Sequence, residues 1–372
     1  MPEEVMAAHP GSPNGIESSF PVALRGPITY ALSTLALTII DSRTGGTLAT
    51  ISPENGIGVE LREHMALNRP IAPILMNLDG KDVVLAPFLV DKPVTGTQRG
   101  GHLVELLTID AQSHAVVGRA VVDMPAASFE ASRLSFRLVG AAKERAVLAL
   151  TVHDALEVAV IDLRSQKETW RRTGFDAITV ASDAVVGRVA VPDAALPEYG
   201  QAGLAIADGK VLWNLRDSSF AWAPIVPAGP HLFALEKGSG WGQYSSFELY
   251  DAATGEMRND VTGTPVYDSC LYDDLSIVVC HLADRAVGAF EATTGESLWD
   301  FDDSDASRIA PQVTATWHGA VYGHTGDQGV ILDARTGADW VTDILFAPYA
   351  LNGHVAISFT GGGRPAAVLP TG

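Results

Sequence analysis

The chain has 372 residues, 47% of them hydrophobic and 19% charged, with 36 Gly and 21 Pro, enough apolar material for a large core and more turn formers than a helical protein uses. Its 25 Lys and Arg stand against 44 Asp and Glu, and the resulting formal charge of -19 repels phosphate backbones and anionic lipid, which excludes nucleic acid as an expected partner. No apolar run is long enough for a membrane-spanning helix, so no transmembrane segment is expected.

The first residues, MPEEVMAAHPGSPNG, lack the basic start and apolar middle of a signal peptide. This leaves two expectations open: a cytoplasmic protein, or an exported one whose signal or anchor is absent from this chain. PVALR, ITYAL, LALTII and GTLATI, within residues 21–51, then read as four short strands, the last two joined by a turn from Asp41 to Gly45. ENGIGVELREHMAL at 54–67 reads as a helical excursion before the pattern resumes.

The strand, Asp, turn, strand unit recurs as TIDAQSHAVVGR at 108, VIDLRSQKETWR at 160, AIADGKVLWNL at 205, LYDAATGEMRN at 249, FEATTGESLWDF at 290 and ILDARTGADWVT at 331, with a partial copy, AVLPTG, at the end. The turn positions are Gly45, His114, Gln166, Gly209, Gly255, Gly295, Gly337 and Gly372, at steps of 69, 52, 43, 46, 40, 42 and 35. These cluster around the length of one four-stranded propeller blade. The Asp at the strand end can bond its own turn, Gly tolerates positive φ, and Trp170, Trp213 and Trp299 follow the turn position by four residues. Trp340 sits one residue early.

The expected fold is therefore an all-β propeller of four-stranded antiparallel blades, eight in number, with seven blades and externally packed terminal strands as the alternative. Residues 20–372 form the single propeller domain. The tail offers APYALN, HVAISF and PAAVLP but no fourth strand. Residues 2–9, PEEVMAAH, within an N-terminal segment 1–19, are expected to supply it and close the ring, since closure removes exposed sheet edges.

Cys270 and Cys280 flank a turn at Asp273-Asp274, which reads either as a cross-strand disulfide or as two buried free thiols. Two thiols fall short of a structural zinc site.

The Asp-x-x-Thr-Gly-x-x-x-Trp repeat, best matched at 251–257, 291–299 and 333–340, resembles the pyrroloquinoline-quinone-like β-propeller repeat. The resemblance covers the chain from about residue 20 onward. That family includes quinoprotein dehydrogenases and the outer-membrane assembly lipoprotein that supports β-barrel insertion. In the dehydrogenases the resemblance would imply a quinone held between a tryptophan and a vicinal-cysteine disulfide, beside a calcium ion and a catalytic Asp. This chain has no adjacent Cys pair, is much shorter, and shows no cluster matching the calcium ligands. No cofactor or metal is therefore expected, and quinone-dependent oxidation is disfavoured. The Cys270 and Cys280 pair also looks like that of extracytoplasmic actinobacterial members, which implies a disulfide and an envelope location.

In such meanders the second-to-third-strand connections gather on one rim, opposite the Thr-Gly turns, and that rim is where binding residues are expected. It collects Arg99, His102, His153, Asp154, Tyr199, Trp241, Gln243, Tyr244, His281, Asp284, His324, Asp327 and Arg364. Trp241 and Tyr244, on the loop GSGWGQYSS, suit a partner or ligand surface, or else cap the blade. Walker A, HExxH, EF-hand and GxSxG patterns are all absent from the sequence. The expectation is a non-catalytic extracytoplasmic platform for a protein or cell-envelope partner. The alternatives are a lyase or hydrolase with His281 or His324 as base and Arg99 or Arg364 holding an anionic substrate, or a carbohydrate-binding module.

Overall fold

The computed structural model describes residues 21–57, 72–92, 94, 96, 100–124, 134–152, 155–190, 199–215, 224–239, 243–262, 267–302, 307–359 and 365–368. They build seven four-stranded antiparallel meanders in chain order. The first is β1 (Val22–Arg25), β2 (Ile28–Leu32), β3 (Leu37–Asp41) and β4 (Gly46–Ile51). The second is β5 (Ile74–Leu78), β6 (Lys81–Lys92), β7 (Gly101–Asp110) and β8 (Val116–Asp123). The third is β9 (Leu134–Ala142), β10 (Arg145–Val152), β11 (Ala155–Asp162) and β12 (Lys167–Thr173); the fourth, β13 (Phe175–Ala181), β14 (Ala184–Ala190), β15 (Tyr199–Ala205) and β16 (Val211–Leu215). The fifth is β17 (Ile225–Ala228), β18 (Leu232–Ser239), β19 (Gln243–Asp251) and β20 (Met257–Thr262); the sixth, β21 (Ser269–Tyr272), β22 (Ile277–Leu282), β23 (Ala286–Glu291) and β24 (Ser297–Asp302). The seventh is β25 (Gln312–Trp317), β26 (Ala320–Thr325), β27 (Gln328–Asp333) and β28 (Asp339–Ile344). A three-stranded sheet of β29 (Ala350–Leu351), β30 (Ala356–Phe359) and β31 (Pro365–Val368) follows.

The first strand of each sheet touches the first strand of the next, from β1 through β5 and onward to β25 and β29, and β29 returns to β1. This succession is a β-propeller. The expected eight four-stranded blades are corrected to seven, because the C-terminal strands form a sheet of only three. Nor is that sheet packed outside the ring. Asn352 Nδ2 donates to the Gly26 carbonyl at 3.0 Å, and Val355 and Ile357 share a core with Val22, Ala31 and Ile40. The count went wrong because each turn position was taken to mark a complete unit, and a turn needs a strand on both sides. The turn at Gly372 and the expected fourth strand at 2–9 lie outside the described residues, as does the expected helix from residue 58 onward. Residues 54–57 are a bend whose Glu54 and Asn55 amides donate to the buried Glu105 carboxylate at 2.7 and 3.2 Å.

All seven described turn positions have positive φ, from 57° at Gln166 to 72° at Gly295. His114 and Gln166 adopt it without being glycine, so the turn imposes the conformation on whatever residue stands there. The strand-end carboxylates satisfy the turn amides: Asp251 Oδ1 accepts from Ala253 and Thr254, each at 2.9 Å, and Asp333 Oδ1 from Arg335 and Thr336 at 2.9 and 2.7 Å. The bonds from Ser113 and Ser165 hold the Asp110 and Asp162 carboxyls below the ordinary carboxylate range.

The repeat tryptophans join consecutive blades. Trp170 Nε1 donates to the Ile206 carbonyl of the next blade at 3.0 Å, Trp213 to Ala252 at 2.9 Å and Trp299 to Ala334 at 2.9 Å. Each indole also covers the turn glycine of that next blade, where an added Cβ would come within 2.9 Å of Trp170 at Gly209, 2.7 Å of Trp213 at Gly255 and 2.7 Å of Trp299 at Gly337. These glycines are required twice over, by φ and by the ring above them.

Cys270 and Cys280 face each other directly across β21 and β22, with Cα atoms 3.9 Å apart, and form a disulfide. The cross-link closes a loop of ten residues in sequence separation, so replacing both cysteines with Ala is expected to lower stability by about 2–3 kcal/mol in denaturant titration. An unchanged midpoint would contradict that constraint. Trp213, only 8% exposed and stacked on Phe233 at 5.2 Å, is expected to cost about 3–5 kcal/mol when changed to Ala. A loss under 1 kcal/mol would show that the indole is not a structural joint.

Candidate functional site

The two rims differ in construction. The third-to-fourth-strand connections of the seven blades, such as 42–45, 252–256 and 334–338, are short and nearly uniform. The second-to-third-strand connections on the other rim vary widely, from 326–327 to 93–100 and 191–198. Variable connections on a uniform scaffold are where binding chemistry has freedom to sit.

Of the residues expected on that rim, Arg99, His153, Asp154, Trp241 and Arg364 lie outside the described residues. Tyr199, Gln243 and Tyr244 are placed by their backbones alone, Tyr199 opposite Ala190 and Gln243 opposite Ser239. The pairs Ala190 and Tyr199, and Ser239 and Gln243, flank the connections from β14 to β15 and from β18 to β19, so these residues stand at the expected rim.

His281 and His324 occupy equivalent positions on neighbouring blades, each paired with the first residue of its blade's inner strand, Ser269 and Gln312 respectively. Their environments differ. His324 Nδ1 lies 3.1 Å from the Gly326 carbonyl, which can only accept, so Nδ1 carries the proton and Nε2 is left as an acceptor. The His281 Nδ1 is cut off from solvent without a hydrogen-bond partner, and burial pushes this imidazole down to about 4, leaving it neutral at pH 7. His102 is held by its cross-strand neighbour, with Nδ1 3.3 Å from Asp91 Oδ1 but poorly aligned for a hydrogen bond. Asp284 and Asp327 are exposed turn residues. Among the described residues no group of three or more His, Cys, Asp or Glu side chains is arranged to hold a metal ion.

Two carboxylates missed by sequence reasoning belong to the same rim. Glu236, on β18, donates its amide to the Pro224 carbonyl at 3.4 Å, and Asp268, leading into β21 on the next blade, donates its amide to the His281 carbonyl at 3.1 Å. Burial pushes the Glu236 carboxyl above its ordinary value; burial first, and then the Glu236 charge, raise Asp268. No residue-type signal marked them, because both stand at strand ends within apolar segments and the loops drew the attention. On the third and fourth blades Asp176 is bracketed by Arg137 at 3.0 Å and Arg188 at 2.6 Å, a satisfied ion cluster that ties β9 to β13.

No family model matches the chain, and no curated protein matches it. Among solved structures, it is similar to BamB from Moraxella catarrhalis at 12% identity, with 93% of this chain and 95% of that one covered and a TM-score of 0.46. The Dos1 propeller is similar at 10% identity over 91% of this chain and 85% of that one, TM-score 0.45. A eukaryotic initiation factor is similar at 12% identity over 92% and 94%, TM-score 0.41.

Because the folded imidazole of His281 titrates below its free value of 6.5, the unfolded chain takes up this proton first as the pH falls. Its contribution to stability is complete above about pH 6.5 and is lost as the pH falls through 4, by roughly 3 kcal/mol. His281→Leu is expected to remove that part of the acid destabilisation in urea titrations at pH 7 and pH 4. An unchanged difference between the two pH values would show that the ring titrates normally.

Proposed function

We propose that this propeller is a non-catalytic interaction platform of the pyrroloquinoline-quinone-like repeat type, working outside the cytoplasm at the cell envelope. The observation that carries the reading is the asymmetry of the rims. On the Thr-Gly turn rim, carboxylates, turn amides, glycines and indoles are engaged within and between blades. The opposite rim assembles connections of unequal length from blades distant in the chain, which is the construction expected of a surface fitted to a protein partner. The Cys270 and Cys280 disulfide supports an oxidising location.

A photo-crosslinking amino acid placed at Asp284 or Asp327 on the variable rim, and at Thr293 or Thr336 on the turn rim, tests the reading in the native host. Covalent capture of one reproducible protein from the first pair and not the second is expected. Equal capture from both rims, or capture from the turn rim alone, would overturn it.

One observation favours a second reading, an enzyme of the hydrolase or lyase class. His281 is neutral with an unpartnered Nδ1, and its neighbours Glu236 and Asp268 hold their protons more firmly than free carboxyls. Turnover of an ester or acidic polysaccharide that His281→Ala abolishes while the fold persists would replace the platform reading.

A further inference from the structure

We propose that residues 2–9 of this chain dock along the outer edge of β31 as an added antiparallel strand, so that the two ends of the polypeptide close the ring by backbone pairing. In the seven blades the third strand is covered on its outer side by a fourth, but among the described residues β31 has a partner only in β30. A strand edge left open presents unpaired amides and carbonyls.

Chain polarity identifies the occupant. Each fourth strand leads directly into the first strand of the following sheet: β4 into β5, β12 into β13, β24 into β25. The sheet that follows β29, β30 and β31 around the ring is the one that starts with β1, since β29 touches β1 and Asn352 bonds Gly26. A strand covering β31 with the common polarity must therefore lead into β1, and the segment leading into β1 is the N-terminal one.

The remaining residues, 10–21, reach easily. Fully extended they span about 40 Å, against roughly 15 Å to cross three strand spacings. Fourth-to-first-strand connections elsewhere run from the single residue Gly174 to the stretch 52–73, which brackets this length. Pro2 is tolerated at the start of an edge strand, and the mixed PEEVMAAH pattern matches the outer position, where β28 is exposed at nearly every residue.

The docking has a consequence for orientation. A strand antiparallel to β31 begins at the Thr-Gly turn rim and ends at the variable rim. Whatever is attached to residue 1 therefore leaves from the turn rim, with the variable rim facing away from it.

Hydrogen exchange of residues 365–368 tests the proposal in the full chain, in a chain lacking residues 1–12, and in full-length Val5→Pro and Met6→Pro. Of the two proline variants, one removes an amide that faces β31, and they serve if the deletion does not fold. The deletion and one proline variant are expected to speed exchange in β31 by about tenfold or more, and a synthetic peptide of residues 1–12 is expected to restore protection to the deleted chain. Exchange unaffected by deletion and by both prolines would overturn the proposal, as would protection that appears only with a concentration-dependent dimer, which assigns the edge to a second copy. Neither failure touches the platform reading, which rests on the opposite features of the two rims.

Discussion

The structure depends on a contact made between blades: the outer-strand side chain of one blade lies over the turn of the next. In three interfaces that side chain is tryptophan, which covers the turn glycine and donates to a carbonyl just before it. The contact combines burial of a large ring with a directed hydrogen bond, so it fixes both the spacing and the rotation of neighbouring sheets. Where tryptophan is missing the joint is rebuilt with other atoms. Asn259 takes the position in the fifth blade and donates to the Gly295 carbonyl at 2.8 Å. Between the second and third blades the sizes are exchanged: Gly118 stands where the indole would be, and the Gln166 side chain from the facing turn fills the space.

The opposite ends of the inner strands have a joint of their own between the sixth and seventh blades. Asp273 is fully buried, and its Oδ1 accepts from the amides of Leu275, Ser276 and Ile277 at 2.8–2.9 Å. Its Oδ2 reaches across to the Gly319 amide at 2.9 Å. A buried carboxylate tolerates its desolvation only with such a complement of donors, and here those donors belong to two blades. The inner and outer joints together leave the variable rim mechanically supported without drawing on its side chains, which is what frees that rim for a partner.

The architecture was legible because turn chemistry repeats in sequence. Spacing alone located the left-handed positions at His114 and Gln166, where the residue type argues against them, and the strands of the first and sixth blades were read within a residue or two of their ends. The blade count was less legible, since the last repeat carries a turn signal without four strands among the described residues. The site was read least completely. Asp273 looked like an ordinary turn former, yet it is a clamp between blades, and Glu236 and Asp268 are separated by 32 positions in the chain, so only the ring brings them to neighbouring blades. His281 and His324 were correctly expected on adjacent blades, but burial decides their chemistry, and burial at the inner end of a strand has no local sequence mark.

A double-mutant cycle between Trp213 and Gly255 tests the central joint most directly. Gly255→Ala places a Cβ against the indole and strains a φ of 70°, and only the first of these costs disappears when Trp213 is already Ala. The account predicts a coupling of about 1–3 kcal/mol, with the glycine substitution markedly less damaging in the Trp213→Ala background. Losses that add to within roughly 0.5 kcal/mol would contradict it, because the ring and the turn would then be independent and the blades would be held together by something else.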